Sequence, residues 1–417
     1  MKSCNNQIKA SFLILIVTVL TYLIGSTNYL HAQTFFFEHK IKRDAISFTK
    51  VKNLIVIPVF INNKGPYNFL LDTGVDPLII TDSLLVDELN FQNTRQIKIN
   101  GLGSNAEIDA LFTSDSFVKI NRASMAFVPT VILKNDIFNL DGYLGMKISG
   151  LIGFHFFNSF VVKVNYETNR ISFSLPNFNQ KIKGTKVDIE ILGNKPYINT
   201  ILKSEQLGEI PVKLIVDCGA GHSLSLETLN AAPFPIPKTS IVGNLGIGLA
   251  GEISGYIGRI LSLKLGNYEM KNVVTNFPDF NDVAAKTNQK DRNGNIGSGI
   301  LKRFNITYDY GNNAIYFKKN SLFDSKFEHD MTGIELFVTS DLTQRLIVSR
   351  IEPQSPAELA GVKINDEIIS INFKKADTYT LEEINNLFRN SEGQTVILEL
   401  YRKDGFTVKL LRLKRRI

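Results

Sequence analysis

Through the middle of this 417-residue chain, apolar residues come in short alternating runs broken by Gly, Asn and Pro. Such runs read as β-strands bounded by turns. Ile55 to Ile61, Tyr67 to Leu71, Arg95 to Ile99, Ser116 to Ile120 and Val161 to Tyr166 are examples, rich in β-branched and aromatic residues. Turns are expected at Asn62-Asn63-Lys64-Gly65-Pro66, Glu167-Thr168-Asn169 and Gly311-Asn312-Asn313. Helical periodicity is scarce. Short helices are expected over Asp82 to Leu89 and Leu226 to Ala231, capped by Thr81 and Ser225. The polar stretch Thr275 to Asn293 has few strand signals and is expected to be a mobile loop.

After a charged linker, Asp324 to Asp330, the pattern changes. Thr332 to Phe337 reads as a loop entering a strand, and Arg345 to Ile351 as a strand. Then come Pro353-Gln354-Ser355-Pro356-Ala357-Glu358-Leu359-Ala360-Gly361, the run Val362 to Ile371, and a helix over Thr380 to Arg389.

The β region repeats itself. Asn68-Phe69-Leu70-Leu71-Asp72-Thr73-Gly74-Val75 in one half answers Lys213-Leu214-Ile215-Val216-Asp217-Cys218-Gly219-Ala220 in the other. Gly150-Leu151-Ile152-Gly153-Phe154 answers Gly294-Asn295-Ile296-Gly297-Ser298, and Gly101-Leu102-Gly103 answers Gly246-Ile247-Gly248. All three pairs share an offset of 144 to 145 residues. A repeat that long is a duplicated domain, not a solenoid unit.

Each Asp is delivered by an apolar strand to a turn, where Gly lets the backbone bend. If the halves face each other across a pseudo-two-fold axis, Asp72 and Asp217 meet. Two carboxylates about 3 Å apart cannot both ionise, so one keeps a proton. The charged member can then take a proton from water, while the protonated one hydrogen-bonds the carbonyl under attack. That chemistry requires no cofactor and no metal.

With these motifs the sequence resembles the aspartic peptidases of the pepsin and retropepsin type, and more closely the bacterial retropepsin-like group with a C-terminal PDZ domain. The resemblance covers residues 45–317. It implies a catalytic dyad of Asp72 and Asp217, with Thr73, Gly74, Cys218 and Gly219 shaping the loops. Leu151-Ile152-Gly153 and, less closely, Asn295-Ile296-Gly297 would pack beneath them. Gly101, Leu102, Gly103 and Ser104, with Gly246, Ile247 and Gly248, would form flaps; read as residues alone, they are tight turns of a β protein. Two positions depart from the family. Cys218 stands where Thr or Ser is usual, so the network joining the loops should be looser and carried through Thr73. Val75-Asp76-Pro77 replaces a small residue and a hydroxyl, which puts the carboxylate of Asp76 near the site or in a solvated turn.

The C-terminal region resembles a bacterial PDZ domain through its Ser-Pro-Ala helix, its Gly-Val turn and the strand Asp366-Glu367-Ile368-Ile369-Ser370-Ile371-Asn372. Such a domain adds a ligand strand to a sheet edge and holds a terminal carboxylate on backbone N–H groups. Gly333, Ile334, Glu335 and Leu336 would supply them here, with Glu335 in a position to repel a carboxylate. A substrate or partner peptide is the implied ligand.

The ends of the chain add context. Lys2 and Lys9 precede the apolar run Ala10 to Ile24, and Leu30-His31-Ala32 is followed by Gln33. This reads as a signal peptide over residues 1–32, with an uncleaved membrane anchor as the alternative. Export would place the chain in the periplasm, at the cell surface or outside the cell. Without those residues only Cys218 remains, so no internal disulfide is available. Losing Lys2 and Lys9 lowers the formal charge from +7 to +5. Much of that excess lies in Arg402 to Arg416, which reads as a solvated tail or an anionic-surface contact rather than a nucleic-acid site. His222, five residues after Asp217, reads as a loop histidine, and His155 as a partly buried core residue.

The expected architecture is mainly β. Lobe 1 spans 33–180, lobe 2 spans 181–323, the linker 324–330 and an α+β PDZ domain 331–417. The lobes are expected as duplicated retropepsin-like β-barrels forming a pseudo-two-fold dimer in one chain. The function expected is peptide-bond hydrolysis. The rival is a decayed peptidase that holds peptides without cutting them; Cys218 favours it, and two retained aspartates oppose it.

Overall fold

The computed structural model of the chain describes residues 34–417 apart from 100, 102–106, 135–138, 179–180, 249–250, 282, 284–291, 340–342, 391 and 404. The signal segment, the flap residues Leu102, Gly103 and Ser104, and much of the polar stretch after Asn281 therefore lie outside the described residues.

The protein is mainly β. The expected strands are present, most of them longer: Leu54–Ile61, Lys64–Leu71, Arg95–Ile99, Ile108–Ile120 and Val161–Asn165. The first hairpin turns on Asn62 and Asn63 alone, with φ of 49° and 62°. Two left-handed residues suit the right-handed twist of the flanking strands. Lys64, Gly65 and Pro66, expected in the turn, thus belong to the strand.

The two expected helices fare differently. Leu85–Leu89 is helical, but Thr81 does not cap it, its hydroxyl reaching the Ile148 carbonyl at 3.4 Å. Residues 226–231 are not a helix. Leu224–Leu226 is a strand, and Thr228–Leu229 pairs with Ala232–Pro233 around left-handed Asn230 and Ala231. Leu224 and Leu226 are buried by pairing with Gly294–Ile296, and that tertiary contact overrides local propensity. The polar stretch is likewise strand at its start, because Tyr268–Pro278 buries Thr275 and Asn276.

The duplication is visible in strand register. In the first half Gly150–Ile152 runs parallel to Phe69–Leu71, with Gly150 opposite Phe69. In the second half Gly294–Ile296 runs parallel to Leu214–Val216, with Gly294 opposite Leu214. Between the halves lies a sheet to which both contribute, ordered Thr185–Asp188, Ala314–Lys319, Phe304–Asp309, Val161–Asn165, Arg170–Ser174, Arg43–Ser47. At its centre Lys163 stands opposite Thr307, 144 residues on, and Val162 and Val164 stand opposite Tyr308 and Ile306. A residue paired with its own repeat copy marks the pseudo-two-fold axis. The core lies on one face of this sheet, where Val162, Val164, Ile171, Phe173, Ile306, Tyr308 and Phe317 alternate inward against Phe156, Phe157 and Phe160.

The C-terminal unit is a sheet ordered Ile334–Val338, Leu346–Ile351, Glu367–Ile371, Thr395–Arg402, Gly405–Arg412 over the helix Leu381–Asn390. Thr380 starts that helix with a capping box: its hydroxyl accepts the Glu383 N–H, and the Glu383 carboxylate accepts the Thr380 N–H. The charged segment before this unit is strapped down. Arg303 stacks 3.6 Å over the ring of Phe327, and Glu328 pairs with Arg415 at 2.6 Å. The basic C-terminus is not a solvated tail. Arg402 pairs with Asp366, Arg415 with Glu328 and Glu392, and Arg416 with Glu352.

Candidate active site

Strands Lys64–Leu71 and Gly208–Val216 end on Asp72 and Asp217. Each loop is anchored the same way: Asp72 N–H donates to the Ile152 carbonyl at 2.9 Å, and Asp217 N–H to Ile296 at 2.9 Å. The glycine beneath each loop is obligatory. A Cβ on Gly153 would stand 1.9 Å from the Asp72 carbonyl oxygen, and one on Gly297 2.3 Å from that of His222.

The two aspartates meet across the axis: a Cβ on Gly74 would lie 3.1 Å from Asp72 Oδ1 and 3.4 Å from Asp217 Oδ2. Gly74 N–H donates to Asp72 Oδ1 at 2.6 Å and Gly219 N–H to Asp217 Oδ1 at 3.0 Å. Both triplet glycines pack against the pair: a Cβ on Gly219 would lie 2.1 Å from Asp72 Cγ, and one on Gly74 3.4 Å from Asp217 Oδ2. Burial first, then the charge of Asp217, raises the Asp72 carboxyl far above the usual carboxylate range, against the Gly74 N–H.

The residues after each Asp tie the loops together. Thr73 is fully buried; its hydroxyl donates to the Val216 carbonyl at 2.7 Å and accepts the Cys218 N–H at 3.0 Å. Cys218 adds a reciprocal bond, its Sγ lying 3.2 Å from the Leu71 carbonyl. The network is therefore two-sided, with a weak thiol donor on one side. Burial, chiefly, pushes that thiol well above its ordinary range, so it stays neutral. Asp76 is half-exposed with His155 at 3.9 Å, and His155 is the partly buried residue expected.

Sequence reasoning placed Asn295 in the segment beneath the second loop but missed its role at the carboxyl pair. It occupies the place of Leu151 in the other half, and its side-chain amide donates to Asp217 Oδ2 at 3.0 Å. Its oxygen takes the ring nitrogen of His222 at 2.8 Å, so His222 belongs to the site's support. Burial lowers the His222 pKa and favours the neutral ring, which then donates from Nε2. The signal was present: the offset of 144 sets a polar residue against an apolar one.

Of the flap residues, Gly101 lines the cleft. Gly246, Ile247 and Gly248 end the strand Ser240–Gly248 of a hairpin with Gly251–Leu265. Ile247 reaches across to an apolar cluster of the first half that includes Val75, Ile108 and Val131.

The C-terminal unit forms a further wall. A cavity of about 780 Å³ is lined by both aspartates and also by Ile334, Glu335, Leu336, Arg350 and Arg389. The free edge expected to take a ligand strand is covered in part: Leu140–Leu144 packs on Ile334–Val338, and Gly145 fits between Val338 and Leu381. The N–H groups of Gly333 and Ile334 are also engaged, by Asp330 Oδ1 at 2.6 Å and Thr332 Oγ1 at 3.0 Å. These two amides are not free for a peptide carboxylate, because the chain supplies its own acceptors. Glu335 instead accepts the Asn244 side chain at 3.3 Å.

Comparison with protein families agrees with this anatomy. Residues 57–156, containing the first triplet and Leu151-Ile152-Gly153, match the model described as aspartyl protease. Residues 347–402 match the model described as PDZ domain. No curated protein matches the chain. Two triplet loops meeting at one carboxyl pair, and a capped α+β unit after them, accord with both matches: the chain carries a retropepsin-like aspartyl protease domain followed by a C-terminal PDZ domain.

Proposed function

We propose that the protein is an aspartic endopeptidase in which Asp72 and Asp217 activate a water for attack on a peptide bond. The observation that carries this reading is the meeting of the two carboxyls at glycine-lined turns, where Gly219 leaves room only for Asp72. Asp72, a buried carboxyl, holds the shared proton and donates it to the substrate carbonyl oxygen. Asp217, with its outer oxygen held by Asn295, carries the charge and takes the proton of the attacking water. The tetrahedral intermediate collapses when the amine leaves with a proton from the pair. Gly101 and Gly246 to Gly248 cover the bound peptide.

Cys218 is the feature that favours a non-cutting relative, yet its thiol keeps a bond across the loops, which supports competence. The apolar run Ala10 to Ile24 supports export as the setting. The test is peptide cleavage by wild type, Asp72→Asn and Asp217→Asn, with pepstatin as inhibitor. Loss of at least about a thousandfold in each variant, at an unchanged fold, is expected for a group acting as general acid or base. Full activity in either would eliminate the dyad.

A further inference from the structure

The cleft's lining changes character along its length. Near the first lobe it is apolar, with Leu54, Leu70, Leu140 and Leu151. At the seam with the PDZ domain three cations, Lys52, Arg350 and Arg389, stand with one carboxylate, Glu335. The other acids of the cavity outside the aspartate pair are already used: Glu227 pairs with Arg292, Glu328 with Arg415, Glu352 with Arg416, and Asp330 accepts hydrogen bonds from Thr332 and Gly333. Among the described residues, by contrast, Lys52, Arg350 and Arg389 form no ion pair. The Lys52 ammonium rests 3.6 Å from the centre of the Tyr143 ring, and Glu335 takes its hydrogen bond from Asn244.

This arrangement is electrostatically incomplete. Burial, opposed by Glu335 and aided by the charge of Arg389, holds Lys52 down at about 8. Burial and Arg389 hold neighbouring Lys302 at about 8 as well. Like charges crowded in a partly desolvated cleft favour an anion between them. Arg is suited to that task, since its planar fork matches a carboxylate.

We propose that the PDZ domain is a wall of the substrate cleft, and that Lys52, Arg350 and Arg389 form a subsite for a peptide carboxylate. The inference rests on the peptidase reading and adds a substrate class to it: peptides with an apolar segment on the first lobe and an acidic group at the PDZ seam. The carboxylate comes from a Glu or Asp side chain or from the chain end. The PDZ domain then contributes to recognition through side chains at its groove rather than through added strand pairing, consistent with the packing of Leu140–Leu144 on its edge.

The test uses the full-length protein and matched peptides. One pair differs by Glu against Gln at successive positions on each side of the scissile bond; another differs by a free acid against an amide at the C-terminus. Wild type is expected to favour one acidic member by about tenfold in kcat/KM, the scale of one charged hydrogen bond. A Glu preference identifies a side-chain source, and a free-acid preference identifies the chain end. In Arg389→Met and in the Arg350→Met, Arg389→Met double variant the ratio should fall towards one, with thermal unfolding recorded to confirm folding. Equal cleavage of every pair by wild type would overturn the subsite, and so would a ratio that survives in the double variant. Absence of any cleavage that depends on Asp72 would instead overturn the peptidase reading.

Discussion

Replacing Asn295 by Leu tests whether the dyad is asymmetric by construction. Leu has nearly the same volume and restores the residue type found at Leu151 in the other half. The change removes a 3.0 Å bond from an amide to Asp217 Oδ2 and leaves the Gly219 N–H bond in place. A hydrogen bond to a charged group is worth about 1.5–3 kcal/mol. One pH unit corresponds to about 1.4 kcal/mol. Losing the bond weakens the singly ionised pair, so the acid limb of kcat/KM should move up by about one to two pH units. That limb reports the free enzyme and belongs to the pair, not to one residue. The assay is a pH profile on one peptide for wild type and variant. Asn295→Leu also leaves His222 without its acceptor, at a cost of about 1–3 kcal/mol in stability. Asn295→Leu with His222→Phe removes both polar partners, so it should recover part of that loss and keep the shifted limb. An acid limb that stays at the wild-type position in both variants would refute the assignment of Asn295 as the positioning residue of Asp217.

Other outcomes follow from the same geometry. Thr73→Val strands the Val216 carbonyl and the Cys218 N–H in a buried site, and should lower stability by about 2–5 kcal/mol in denaturant unfolding; a change under 1 kcal/mol would show the loops held by other contacts. Activity should persist above the ordinary carboxylate range and fall as pH rises through the raised value of Asp72, because the pair then loses its shared proton. The same shift predicts that stability drawn from protonated Asp72 is full at low pH and declines through that window, a slope that Asp72→Asn should remove from a series of melting curves. Deleting residues 331–417 takes a wall from the cavity, so cleavage of short peptides should drop together with that of proteins; short-peptide rates left intact would favour a remote tether.

Several features were legible in the sequence because their physics is local or repeated. Alternating apolar residues specify strands through burial of one face, and Asn62-Asn63 specifies a hairpin through left-handed backbone. The offset of 144 to 145 residues placed Asp72 with Asp217, because a duplicated domain closing on a two-fold axis brings equivalent residues to that axis. The helix over Thr380 to Arg389 was legible too, and the structure adds the capping box of Thr380 and Glu383 that starts it. What local signals could not decide depended on partners far along the chain. Residues 226–231 had a helix's pattern but became strand, because Gly294–Ile296 offers Leu224 and Leu226 a buried edge. Asn295 looked like a flaw in an apolar segment until folding set its amide against Asp217 and His222. The PDZ groove looked like an independent ligand site, yet tertiary packing put Leu140–Leu144 on its edge and opened its side chains into the cleft that Asp72 and Asp217 line. Burial and hydrogen-bond partners are properties of the assembled chain, so the chemistry that rests on them was settled only by the fold.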